Sequence, residues 1–248
     1  MSLEAVTPEP IADVHARLGD EGAHGSAARR MFDRIAPTYD TVNHVMSAGI
    51  DRAWRARTVA QLADGPRGPV LDLCAGTMDL TALVARARAA DRIVAVDFSP
   101  AMLERGRHKA PRAETIVGDA GALPFADGEF AAVVCGFGMR NLADPRAGAR
   151  EVLRVLRPGG VFVTLELFRP SRMVTRAFHR AYARVVLPAL GGFISGDRRA
   201  YDYLAKSMAG FLRREEYERV LADVGFSRVH GFDLTLGVAS IVRAEVAP

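Results

Sequence analysis

The chain has 248 residues, 49% of them hydrophobic, enough for one sizeable domain with a buried core. No run approaches the ~18 apolar residues of a membrane span, and two cysteines, Cys74 and Cys135, both in apolar runs, read as buried thiols and exclude a disulfide framework. The formal charge is +4, yet of 33 basic residues only Lys109 and Lys206 are lysines, and such an arginine bias makes the basic balance poor evidence for a nucleic-acid partner.

Residues 1–25 are polar, rich in Pro, Gly and Ala, and lack an apolar signal core, so they read as a flexible leader on a cytoplasmic protein. Residues 26–64 carry apolar positions at helical spacing, among them Phe32, Ile35, Val42, Val45, Met46, Ile50, Trp54 and Leu62, and predict a helical cap. The breaker GPRGP (65–69) precedes a strand at 70–74 and a helix at 79–89. A strand at 92–97 is followed by a helix from Pro100 to about Lys109, with Ser99 as N-cap. Strands at 114–118 and 130–136 come next, then a helix at 145–156, a tight turn at RPGG (157–160) and a strand at 161–167. Helical stretches at 170–187, 198–210 and 213–224 lead to two closing strands around Leu236-Gly237, with Gly225 capping the last helix. Strands alternating with helices predict an α/β fold with a mostly parallel, doubly wound sheet and helices on both faces.

PVLDLCAGTMD (69–79) runs an apolar strand into a glycine turn, and Asp97 closes the next strand 21 positions past Gly76. That arrangement fits a βαβ unit holding an adenosine, with the carboxylate accepting from the ribose hydroxyls. A pyrophosphate wants bare backbone N–H groups and a G-x-G-x-x-G run. Here Gly76 stands without the other two glycines, and Asp72 and Asp79 bracket the loop. Two carboxylates suit a cofactor with cationic ends, which favours S-adenosylmethionine over NAD and disfavours a dehydrogenase. The plainer reading of Asp79 is a helix N-terminal residue facing the dipole.

MFDRIAPTYDTVNHVMSAGIDRAWR (31–55), GFGMRNLAD (136–144), REVLRVLRPGGVFVTLELFRP (150–170) and YDYLAKSM (201–208) resemble the motifs of the ubiquinone/menaquinone-biosynthesis C-methyltransferases, over about residues 30–235. The resemblance implies a class I, seven-stranded Rossmann-like methyltransferase domain over 26–248, with 26–64 as cap and 170–212 as a helical insertion near the acceptor. It implies S-adenosylmethionine as cofactor, bound by Thr77, Asp97, Asp119 and Ala120, with Gly76 joining them from the loop. Asp119-Ala120 would meet the adenine edge, the alternative being a strand-terminating turn. Gly136 stands where the family often has serine, and Met78 where it often has glycine or alanine.

The implied reaction is methylation of a ring carbon of a prenylated quinol. Demethylmenaquinol is the first acceptor and a polyprenyl methoxybenzoquinol the second. The ring carbon becomes nucleophilic when the adjacent hydroxyl ionises, so a dry pocket must favour the anion. Arg140 would stabilise the quinolate while a water takes the ring proton, Asn141 would orient that water or the second ring oxygen, and Tyr39 would close over the site. The alternative for Arg140 is a surface salt bridge with Asp144. His44 and His179 are possible bases too, but His44 reads better as a satisfied, half-buried histidine and His179 as a surface residue. No Cys/His cluster has metal spacing.

Arg172, Arg176, Arg180 and Arg184 line one side of 170–187, with apolar residues interleaved. This stretch could rest on anionic headgroups at the inner face of the membrane, or be a solvated face. A homo-oligomer is allowed. A nucleic-acid methylase is disfavoured, because GFGMRN replaces the Asn/Asp-Pro-Pro-aromatic run and no RNA-binding module is present. A non-catalytic, S-adenosylmethionine-binding partner of a biosynthetic complex is the third reading, mildly opposed by the presence of Tyr39, Arg140 and Asn141.

Overall fold

The computed structural model describes residues 21–88, 91–170, 175 and 198–248. Helices α1 (Glu21–Ile35), α2 (Tyr39–Met46) and α3 (Ile50–Ala60) precede β1 (Val70–Leu73) and α4 (Asp79–Ala87). Strand β2 (Ile93–Asp97) leads to α5 (Pro100–Gly106) and β3 (Glu114–Val117). Then come β4 (Phe130–Gly136), α6 (Pro145–Val155), β5 (Leu156–Glu166), α7 (Arg198–Gly210), α8 (Arg214–Val224), β6 (His230–Leu234) and β7 (Ala239–Glu245). The seven strands form one sheet in the order β3-β2-β1-β4-β5-β7-β6, parallel except for β7, which runs antiparallel to both β5 and β6.

β1 and β2 are buried along their whole length and β4 up to its last residue, as a parallel sheet covered on both faces requires. Alternation along β1 divides its side chains between two layers. Leu71 and Leu73 join Phe130, Phe162 and Tyr217 in one core, while Val70 joins Trp54, Leu62, Leu80 and Val84 in the other. Chain order reverses between β1 and β4, and the crevice above that reversal is where open α/β sheets take ligands.

The cap segment is helical, in three pieces: it breaks at Pro37, which lacks an N–H, and at Gly49, whose φ of +76° is left-handed. Two local expectations need correction. The leader reading covers 1–25, but residues 21–25 open α1, and 1–20 lie outside the described residues. RPGG is not a turn before a strand. It lies inside β5, where Leu156 already pairs with Phe130 and the register then shifts. Gly159 donates to Ala247 O at 3.2 Å and Val246 donates to Gly160 O at 2.9 Å, so the chain beyond β7 pairs this segment and makes it a bulge. The arginine stripe of 170–187 and His179 fall outside the described residues, apart from Pro170 and Thr175.

Candidate active site

Gly76 has a φ of +52°, and its N–H donates to Asp97 Oδ2 at 2.8 Å. The N–H of Ser99 donates to Asp97 Oδ1 at 2.8 Å, so the glycine turn and the end of β2 are tied through one carboxylate. Burial pushes Asp97 up to about 6, against the pull of the Ser99 and Gly76 N–H groups and with a push from Asp33. This pair borders a cavity of about 570 Å³ lined also by Cys74, Val117, Asp119, Ala120, Gly136 and Asn141. Asp97, Asp119 and Ala120 thus border one cavity at the carboxyl ends of the strands. Asp119 is also a turn residue, accepting from the Gly121 N–H at 2.8 Å, so the two readings of it coexist. An adenosine-bearing cofactor fits here: glycine lets the backbone approach, and each Asp97 oxygen, already holding one N–H, keeps a lone pair for a ribose hydroxyl.

Thr77 is different. Its hydroxyl donates to Asp40 Oδ1 at 2.5 Å, so it reaches α2 and does not line the cavity. The two carboxylates credited with attracting a cationic cofactor are also turned away. Asp79 pairs with Lys109 at 2.6 Å and Arg55 at 3.7 Å. Asp72 is 1% exposed and accepts from Thr81 Oγ1 at 2.5 Å, and burial, with a push from Asp97, raises it to about 7. Met78 has a left-handed φ of +62° and is fully buried against Ala82, Ala95, Leu103 and Ala110. It anchors the loop from beneath, and nothing about it addresses the ligand directly.

A second cavity of about 340 Å³ shares Tyr39 and Phe137 with the first. Its wall is mainly apolar, with Met46, Ile50, Trp54, Leu167, Leu204 and Met208, and includes Arg140, Arg55, Asp51 and Ser47. Phe137 is the septum. It holds a left-handed φ of +60°, and the Arg55 and Arg140 guanidinium carbons lie 5.5 and 5.9 Å from its ring centroid. Left-handed non-glycine backbone at Cys74, Met78 and Phe137 gathers strain at this edge of the sheet.

Arg140 is not paired with Asp144, which instead caps α6 by accepting from the Arg146 N–H at 2.8 Å. Its Nη1 donates to Glu166 Oε1 at 2.5 Å and to Phe137 O at 2.7 Å. Glu166 is wholly buried and also accepts from the Leu167 N–H at 2.7 Å. Burial opposes the Arg140 charge, but Glu166 and Tyr39 outweigh it and hold the guanidinium above its ordinary value. Arg140 Nε is buried without a hydrogen-bond partner. Burial raises Tyr39 against the opposing pull of Arg140 and keeps it a neutral hydroxyl. Asn141 lines the first cavity, not the second. Its amide donates to Phe137 O at 3.2 Å, and its carbonyl accepts from Tyr203 at 3.4 Å. His44 is half-buried and satisfied, its Nδ1 lying 3.0 Å from Asp51 Oδ2. Sequence reasoning missed Glu166, Phe137, Asp51 and Arg55 as site residues. Glu166, at the carboxyl end of the strand beside β4, carried the one positional signal.

A glycine turn tied to a buried carboxylate at the switch point, in a sheet with an antiparallel β7, fits an S-adenosylmethionine-dependent methyltransferase of class I. Solved structures agree on the fold. A methyltransferase in complex with the Haloferax volcanii Trm112 activator matches with a TM-score of 0.64 at 18% identity, covering 88% of this chain and 98% of that one. A methyltransferase from Thermotoga maritima, described as a possible histamine N-methyltransferase, gives 0.63 at 18% identity over 87% and 98%. The model of the ubiE/COQ5 methyltransferase family matches residues 21–245, and the chain belongs to that family. The ubiquinone/menaquinone biosynthesis C-methyltransferase UbiE of Geotalea uraniireducens is 39% identical, over 89% of this chain and 97% of its own. The demethylmenaquinone methyltransferase of Deinococcus radiodurans is 40% identical, over 90% and 94%. No helix among the described residues is long and apolar enough to cross a membrane.

Proposed function

We propose that the chain methylates a ring carbon of a prenylated quinol, demethylmenaquinol first and a polyprenyl methoxybenzoquinol second. The observation that carries this reading is the apolar cavity with a buried arginine in its wall, joined to the cofactor cavity at Tyr39 and Phe137. Ubiquinone and menaquinone both figure in the name of one relative, and demethylmenaquinone in the names of two others. Asp97, Asp119, Ala120 and the Gly76 turn would hold the cofactor, which would supply an electrophilic methyl group. Thr77 contributes through Asp40, by fixing α2 against the loop.

Arg140 cannot act as free positive charge, because Glu166 neutralises it. Its Nε is the group left over, and we assign it to a quinol ring oxygen, where a charge-assisted hydrogen bond favours the anion. Tyr39 lies between the cavities and orients the ring beside the methyl group. Asn141 acts at one remove, holding the Phe137 carbonyl and thus the septum. The chain then works as one catalytic domain with 26–64 as cap, and α7 brings Leu204 and Met208 to the acceptor cavity. The chain acts in the cytoplasm at the inner face of the membrane, where 170–187 would meet headgroups.

Arg140→Ala would leave Glu166 buried and unpaired, at a cost of about 3–5 kcal/mol, so the discriminating variant is Arg140→Lys. It keeps the charge and loses the Nε donor. Cofactor affinity is expected to stay near wild type while turnover falls about 100-fold. Steady-state kinetics with a calorimetric binding assay check this, and unchanged turnover contradicts the assignment.

A further inference from the structure

Methylating an aromatic carbon leaves a proton that must go. The quinolate carbon forms its bond to the methyl group as the sulfonium bond breaks, and the ring becomes a dienone bearing both hydrogen and methyl. Aromaticity returns when the ring C–H electron pair moves back into the ring and the proton passes to a base. The resulting oxyanion then takes a proton from water.

Of the described residues that line the acceptor cavity, Asp51 is the one carboxylate, and there is no histidine among them. Tyr39 is a neutral phenol, and the two arginines are cations. Glu166 lies behind Arg140 and does not reach the cavity wall. Ser47 also lines the cavity, and its hydroxyl donates to Asp51 Oδ1 at 2.6 Å. Asp51 sits in the first turn of α3, 3% exposed, held from its other sides by Arg55 and by His44. With the carboxylate ionised, His44 Nδ1 must carry the hydrogen that it donates to Asp51.

We infer that Asp51, acting through the Ser47 hydroxyl, is the base that removes the ring proton after methyl transfer. Ser47 Oγ receives the ring proton as it gives its own to Asp51, and water takes the proton from Asp51 once the product has left. Ser47 is the catalytic residue that meets the ring proton, and Asp51 is the carboxylate that acts through it; His44 and Arg55 are positioning residues that fix the carboxylate at the wall. Burial raises Asp51, but the Ser47 hydrogen bond, Arg55 and His44 outweigh it and hold the carboxyl below its usual range. Such a carboxylate is ionised before the reaction starts. A weak base suffices, because losing the proton restores the aromatic ring.

The assignment rests on the quinol reading, and the test separates the two. The full-length protein is given S-adenosylmethionine and reduced demethylmenaquinone, either unlabelled or deuterated at the ring position to be methylated. Wild type is expected to transfer methyl without a primary isotope effect, because methyl transfer limits the rate. In Asp51→Asn and Ser47→Ala, proton loss becomes limiting. Turnover falls, about 100-fold for Asp51→Asn, and a primary isotope effect appears while cofactor affinity holds. A merely structural role for Asp51 would lower turnover without creating that isotope effect. Ser47→Ala removes one small hydroxyl and keeps the question open to measurement should Asp51→Asn fold poorly. Variants that turn over as wild type, or slow without an isotope effect, overturn the assignment. Absence of transfer by the wild type contradicts the quinol reading, and the base falls with it.

Discussion

Asp72 illustrates how a residue can be conspicuous in the sequence and act elsewhere than expected. It was expected to face a cationic cofactor, yet it lies beneath the loop with Oδ1 buried and unpartnered. Its carboxyl stands at about 7, raised by burial, against about 3.9 in an unfolded chain. The folded state therefore favours the protonated form. Its contribution to stability is complete below about pH 4 and is lost as pH rises through 7. Asp72→Asn keeps an acceptor for Thr81 and carries no charge to bury. Thermal unfolding should show the variant more stable than wild type at pH 8, by about 1–3 kcal/mol, with the gap narrowing toward pH 5. A gap that does not change with pH would contradict this. Gly76 and Asp97 were legible because their spacing repeats a local βαβ geometry. Glu166 and Asp51 were not, because a buried carboxylate is defined by its partners. The side-chain partner of Glu166, Arg140, lies 26 residues away, and the chain does not announce it; the partners of Asp51 are near in sequence, but that they face a cavity is set by long-range packing.

The strands were legible as elements because a sheet covered on both faces demands continuous apolar runs, and FAAVVCG at 130–136 is such a run. Ser99 was legible as an N-cap, and its Oγ accepts from the Met102 N–H at 3.2 Å. RPGG was not legible as strand, because its pairing comes from the far end of the chain. Nor was the latch between cap and loop. Lys109 joins Asp40 of α2 to Asp79 of α4, at 2.6 Å each, and Asp40 also holds Thr77. The loop is gripped from the other side by α5. A Cβ on Gly106 would clash with the Thr77 carbonyl and lie 2.8 Å from Met78 Cβ. Gly106→Ala should therefore displace the cofactor turn. Expected are a loss of about 1–3 kcal/mol in denaturant unfolding and weaker S-adenosylmethionine binding by calorimetry. Unchanged affinity would show that the turn tolerates the shift.

For the whole molecule, the fold followed from the alternation of strands and helices, and the cofactor class from the single-glycine loop. The electrostatic reason attached to that loop does not hold, since Asp79 is neutralised by Lys109 and Arg55, and Asp72 faces inward. What survives is the carboxylate at Asp97 and the close backbone approach at Gly76. Arg140 and Tyr39, singled out through motif resemblance, both line the second cavity. That cavity arises from packing α2, α3 and α7 over the β4–β5 edge, a long-range arrangement that no local pattern encodes. The most direct measurement incubates the protein with methyl-labelled S-adenosylmethionine and demethylmenaquinone, reduced or oxidised, and identifies the product by mass spectrometry. Label on the ring carbon under reducing conditions, and none with the oxidised quinone, is the expected result. No transfer to the quinol, or label on a ring oxygen, would contradict quinol C-methylation.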